Sequence, residues 1–192
     1  MFSQFTSTQI IFAAVAVVAL VVIVVFTYLQ SHKTKTAALR NRFGSEYGRA
    51  VVQHGSSQKA EAKLAARETR VEALKIRELG ANERERFAVE WQTVQSRFVD
   101  HPKDAVTEAD SLIASLLQAR GYPRETFEQS AEDLSVTYSR VIEGYRMAHA
   151  IAVRPYGAEA STEELRTAMV QSRAVFDELI QGKSLQETKS AA

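Results

Sequence analysis

Residues 10–42 read IIFAAVAVVALVVIVVFTYLQSHKTKTAALRNR, and their chemistry changes abruptly part-way along. From Ile10 to Phe26 there is no polar residue, and Thr27, Tyr28 and Leu29 extend the run. At 1.5 Å of rise per residue, about twenty residues make a helix ~30 Å long, the thickness of a bilayer's hydrocarbon. Valine and isoleucine favour helix only weakly in water. In lipid, a lone segment can bond its own backbone amides only as a helix. Residues 10–29 are therefore predicted to form a transmembrane helix, with Tyr28 at the interface where aromatics gather. A cleaved signal peptide fits less well: residues 1–9 carry no Lys or Arg, and TYLQSHK is a poor cleavage site. A buried core helix would rarely be apolar on all sides over this length. The alanines at 13, 14, 16 and 19 are never four apart and the run has no glycine, so no close helix pairing is encoded.

The flanks set the orientation. Residues 1–9 form a short tail without basic residues, whereas Lys33, Lys35, Arg40, Arg42 and Arg49 follow the run against a single Glu46. Basic flanks stay cytoplasmic. The expectation is an N-terminus outside a plasma (inner) membrane and everything after a polar hinge, residues 30–36, inside it.

Residues 37–182 are predicted to be one all-α domain, a small multi-helix bundle, with a disordered polar tail at 183–192. No stretch alternates β-branched and polar residues as a strand would. The first helix is expected over about Thr36 to Gln53, where Leu39, Phe43, Tyr47 and Val51 recur every four residues. Gly44 and Gly48 lie beside that stripe. Close helix approach is the favoured explanation for them, and a local kink is the alternative. The second helix, about Ser56 to Leu74, has a thin seam of Leu64, Val71 and Leu74. Around it Lys59, Glu61, Lys63, Arg67, Glu68, Arg70 and Glu72 read as a solvated face of mixed charge. Asn82 with Glu85 suggests a capping box for a third helix, whose stripe is Phe87, Trp91, Val94 and Phe98. Asp100 is expected to cap the next, with Pro102 in its first turn and Val106, Ala109, Ile113 and Leu116 inward. A short helix from Arg124 to Asp133 follows, then one ending near Val153. The last is capped by Ser161 with Glu164 and ends at Gly182.

Composition narrows the function classes. The chain has 192 residues, no cysteine and a net charge of +1. Thiolate chemistry and disulfides are excluded, and a whole-surface nucleic-acid binder is disfavoured. The four histidines are scattered, with no metal-ligand spacing, and His149 reads as a hydrogen-bonded residue near a core face. The pair Glu163 and Glu164 is explained by a helix N-terminus, and no nucleophile or phosphate-loop motif is present. No cofactor, metal or small-molecule substrate is implied, and no enzyme activity.

Three stretches, LRNRFGSEYGRAV (39–51), EWQTVQSRFVDHPKDAVTEADSLI (90–113) and ARGYPRETFEQSAEDLSV (119–136), resemble an uncharacterised family of bacterial single-pass membrane proteins with a helical soluble domain. The resemblance spans most of 39–179. It implies a bacterial plasma-membrane setting and carries no catalytic or binding residue to this chain. The expected function is a membrane-anchored interaction or scaffold module, with the lipid bilayer and another protein as partners. The alternative is lipid-surface sensing by the basic amphipathic helix 37–53, with Leu39, Phe43, Tyr47 and Val51 as its lipid or partner face; the plainer reading of that stripe is that it packs on the domain while the basic residues only set topology, and an unrecognised enzyme comes third.

Overall fold

The computed structural model describes residues 16–17, 19–23, 26, 36–155 and 160–182. They belong to two units, 1–39 and 40–192. The predicted tail 1–9, most of the predicted span 10–29, residues 30–35 of the hinge and the tail 183–192 lie outside the described residues. In the first unit, the described positions between 16 and 26 are helical, and Val17, Leu20, Val21, Val22, Ile23 and Phe26 each expose more than half their surface. Among the described residues no helix is long and apolar enough to cross a membrane.

The regular structure of the described residues is all α-helix. The second unit contains α1 (Ser45–His54), α2 (Ser57–Ala73), α3 (Ala81–Arg97), α4 (Pro102–Ala119), α5 (Phe127–Ser135), α6 (Ile142–Ala152) and α7 (Thr162–Gln181). Helix α7 packs most extensively on α6 and α4; α3 lies on α4, and α4 also meets α6. Together they enclose one contiguous core that runs in sequence from Leu79 to Leu179. Its centre comes from α4, which buries Ala105, Val106, Ala109, Leu112, Ile113, Leu116 and Leu117. Trp91 stacks on Phe176, ring centroids 4.7 Å apart, joining α3 to α7. The aromatic stripe of α3 is thus core, as its spacing predicts. Helices α1 and α2 form a hairpin, and α2 touches α5.

Local chemistry explains most helix ends. The Ser56, Thr126 and Ser161 hydroxyls accept from the amides of Lys59, Gln129 and Glu164 at 3.3, 3.4 and 3.2 Å, which satisfies donors the first turn leaves open. Several expected boundaries shift. The single helix over 36–53 is divided: residues 36–43 are helical, Gly44 turns at φ +52°, and α1 starts at Ser45. The Gly44 amide donates to the Arg40 carbonyl at 2.9 Å. A Cβ at Gly44 or Gly48 would meet nothing within 4 Å, so close approach is corrected to a break at Gly44, with Gly48 in open space. Helix α3 begins at Ala81 rather than at an Asn82 cap, because Glu83 reaches back to the Gly80 amide at 2.9 Å. His101, not Asp100, precedes Pro102 as the N-cap of α4.

The segment between α2 and α3 is clamped to the end of α4. The Arg77 amide donates to the Arg120 carbonyl at 2.9 Å, and Arg120 Nε donates to the Arg77 carbonyl at 3.4 Å. The rest of this buried guanidinium bonds the Tyr138 hydroxyl and, at 3.2 Å, the Leu179 carbonyl. One side chain thereby joins the linker, the α5–α6 connection and the end of α7. Gly121 follows with φ +94°, and a Cβ there would lie 2.6 Å from the Lys75 carbonyl oxygen. Gly121→Ala should lower stability by about 1–3 kcal/mol through backbone strain, whereas Gly48→Ala should raise it by about 0.5–1 kcal/mol through chain entropy. Urea denaturation of the two variants measures both signs.

The carboxyls of Glu83 and Glu164 are held down at about 2, well below the ordinary 4.5, first by hydrogen bonds from Arg77 and Arg154 and then by backbone amides. A lowered pKa adds stability that is complete above the ordinary value and is lost as pH falls toward the folded one. Thermal denaturation should therefore show stability falling between about pH 5 and pH 2, and Glu164→Gln should flatten part of that slope.

Candidate functional site: an ion-paired seam

The buried positions of α2 are Ala60, Leu64, Arg67 and Val71, spaced four, three and four. One of the four is an arginine. A guanidinium cannot be withdrawn from water without partners, so the elements packed against this stripe must supply them. Helix α1 brings Glu46, in its first turn, where the helix N-terminus favours a carboxylate. Helix α5 brings Glu132 and Ser135, and α6 brings Arg146.

Glu46 sits between two cations. Its Oε2 lies 3.6 Å from Arg67 Nη1, and its Oε1 lies 3.3 Å from Arg146 Nε. The side chains of Glu46, Arg67 and Arg146 are only 5, 7 and 10 % exposed. Arg67 continues to Glu132 Oε1 at 3.2 Å and donates to the Ser135 hydroxyl at 3.0 Å. Arg146 also pairs with Glu128. One turn along α2, Arg70 lies 3.2 Å from the buried Asp133 and pairs with Glu125 at the surface. Burial pushes the Asp133 carboxyl up, opposed by the Arg70 guanidinium and the Gln129 amide. On one side of the seam, then, stand the arginines of α2 with Glu46; on the other stand the carboxylates of α5 with Arg146.

The basic flank has two fates. Lys33 and Lys35 lie outside the described residues. Arg40 stacks over the Tyr47 ring, 5.0 Å from its centroid. Arg42 pairs with Glu68 at 3.1 Å and donates to the Val136 carbonyl at 3.5 Å. Arg49 stands 3.9 Å from Glu128 at the surface. The stripe proposed as a lipid or partner face is covered by the protein itself. Phe43 is fully buried and Tyr47 is 5 % exposed, its hydroxyl donating to Glu61 at 2.9 Å; Leu39 and Val51 are half-buried. Phe43 and Tyr47 pack within the domain, as the plainer reading of the stripe expects, and packed rings have no apolar surface left for lipid. The solvated reading of α2 holds for Lys59, Lys63 and Glu72, which are exposed, and is corrected for Arg67, which is buried, and for Arg70, which is half-buried and paired across the seam.

Elsewhere, the Asp110 carboxylate oxygens both lie 3.0 Å from His149 Nδ1, and the His149 ring stacks on Phe127. Among the described residues no group of three or more His, Cys, Asp or Glu is placed to hold a metal ion. No protein family, curated protein or solved structure matches this chain.

Breaking a buried ion pair from one side leaves the other charge uncompensated and costs about 3–5 kcal/mol. Arg67→Ala should lose that much in chemical denaturation, while Arg173→Ala, which removes an exposed pair with Asp177, should lose under about 1 kcal/mol.

Proposed function

We propose that the chain is a single-pass membrane protein. In this reading residues 10–29 anchor it, and the helical domain is held at the cytoplasmic face of a bacterial plasma membrane as an interaction module for another protein. The observation that carries the anchor is the exposed apolar helix. Val17, Leu20, Val21, Val22, Ile23 and Phe26 are helical, and each has more than half its surface uncovered. Left in water, that surface forgoes the roughly 25 cal/mol per Å² gained when apolar area is removed from water; hydrocarbon supplies that gain. The uncharged run from Ile10 to Phe26 supports the same reading.

Lys33, Lys35 and Arg40 supply the topological bias that favours an inside domain. Arg42 and Arg49 add to it, because acidic residues such as Glu68 and Glu128 contribute little to that bias. Tethering confines the domain to a thin layer beside the bilayer and raises its effective concentration toward a partner in the same layer. Lipid-surface sensing through 37–53 is not put forward, since it needs the buried Phe43 and Tyr47.

The absence of cysteine makes the topology directly measurable. Ser3→Cys should be labelled by an impermeant maleimide on intact cells. Val99→Cys, at a position 84 % exposed, should be labelled only after lysis. Alkaline carbonate should leave the protein in the membrane pellet. Labelling of Val99→Cys on intact cells, or release by carbonate, overturns the proposal.

A further inference from the structure

We propose that the α1–α2 hairpin is a hinged arm that leaves the α3–α7 bundle as one unit, opening along the ion-paired seam while the bundle stays folded. Three observations carry it, and none depends on the membrane anchor.

The first is where the apolar burial lies. Phe43, Tyr47 and Ala50 before and within α1, and Ala60, Leu64 and Val71 of α2, are buried but fall outside the contiguous core that begins at Leu79. These residues lie apart from the main core, and Val136 at the end of α5, on the bundle side, is likewise buried outside it. The second is the chemistry across the seam. What joins hairpin to bundle includes Glu46 to Arg146, Arg67 to Glu132 and Ser135, Arg70 to Asp133 and Glu125, and Arg42 to the Val136 carbonyl. Charges regain their hydration when such a seam opens, so separating them costs far less than separating an apolar interface of the same area. The third is the hinge. Leu74 ends α2 in an extended conformation, φ −73° and ψ 142°. The next residues are clamped to the bundle by Arg120 on Arg77 and by Gly121 against Lys75. Leu74 and Ile76 also pack against the bundle core, so the proposed motion is taken up where α2 ends, ahead of that anchor, and is not passed to α3.

Opening has a chemical consequence. It uncovers the groups that the closed molecule buries, Asp133 and Arg146 on the bundle and Glu46 and Arg67 on the arm, beside Glu125, Glu128, Glu132 and Arg70, which are already partly exposed.

Native-state hydrogen exchange of the full chain in detergent micelles, resolved by peptide and followed at low denaturant, tests the arm. Amides of Ser45–Ala73 should share one opening constant, at least about tenfold larger than that of Pro102–Ala119 and Thr162–Gln181. Glu132→Gln, which alters only the bundle side, should enlarge the opening constant of the arm by about tenfold more and leave α4 and α7 unchanged. Arg67→Gln should act in the same direction from the arm side. One common opening constant for arm and bundle, or equal acceleration of α4 and α7 in Glu132→Gln, overturns the proposal.

Discussion

A carboxylate held out of water between two guanidiniums sets how α1 and α2 meet the rest of the helical domain. Glu46 comes from the first turn of α1, Arg67 from the middle of α2 and Arg146 from α6. None of the three could occupy its position alone, because each buried charge must be compensated. Satisfying them fixes the register of α1 against α2 and the height of the hairpin on the bundle at once. Apolar contacts tolerate sliding; a guanidinium fork facing a carboxylate does not. Specificity is thus the main contribution of the seam, and its net stability is small, since well-packed apolar replacements of buried pairs are commonly neutral or stabilising.

The bundle obeys different physics. Its core is apolar, with α4 and α7 at the centre, and it is tied off by a single buried arginine. Arg120 bonds the linker, the connection after α5 and the end of α7 through its own side chain. Two kinds of polar burial therefore coexist. The Arg120 knot satisfies backbone carbonyls and a hydroxyl, and it sits where three segments must meet. The seam matches side-chain charges between the α1–α2 hairpin and the α5–α6 side of the bundle.

Much of this was legible in the sequence because it depends on period and on local bonds. The stripes Phe87–Trp91–Val94 and Val106–Ala109–Ile113–Leu116 fall at helical spacing and lie in the core. Ser161 with Glu164 signals a helix start by a mechanism contained within four residues, and the start is where that mechanism puts it. The misplaced boundaries come from competition between near neighbours. Glu83 captured the Gly80 amide because Arg77 already orients its carboxylate, a contact from outside the helix that the Asn82–Glu85 pattern does not contain. The break at Gly44 was open to either of two explanations, since a glycine beside an apolar stripe serves close packing or a positive φ equally well.

The seam was hidden for a related reason. Arg67 stands among Lys59, Glu61, Lys63, Glu68, Arg70 and Glu72, and mixed charge on a helix normally faces water. The signal was its phase: Ala60, Leu64 and Val71 place position 67 on the inward face, and an arginine there calls for carboxylates elsewhere in the chain. The basic flank was read only for topology, yet Arg42 and Arg49 also pair with Glu68 and Glu128. Sequence-local rules register a charge and its neighbours, whereas these partners arrive from up to a hundred residues away. The most direct test of the central claim is a double-mutant cycle in the full chain, with Glu46→Ala, Arg146→Ala and their combination measured by chemical denaturation. A coupling energy above about 1 kcal/mol is expected if this pair joins hairpin to bundle; additivity within about 0.5 kcal/mol would contradict it.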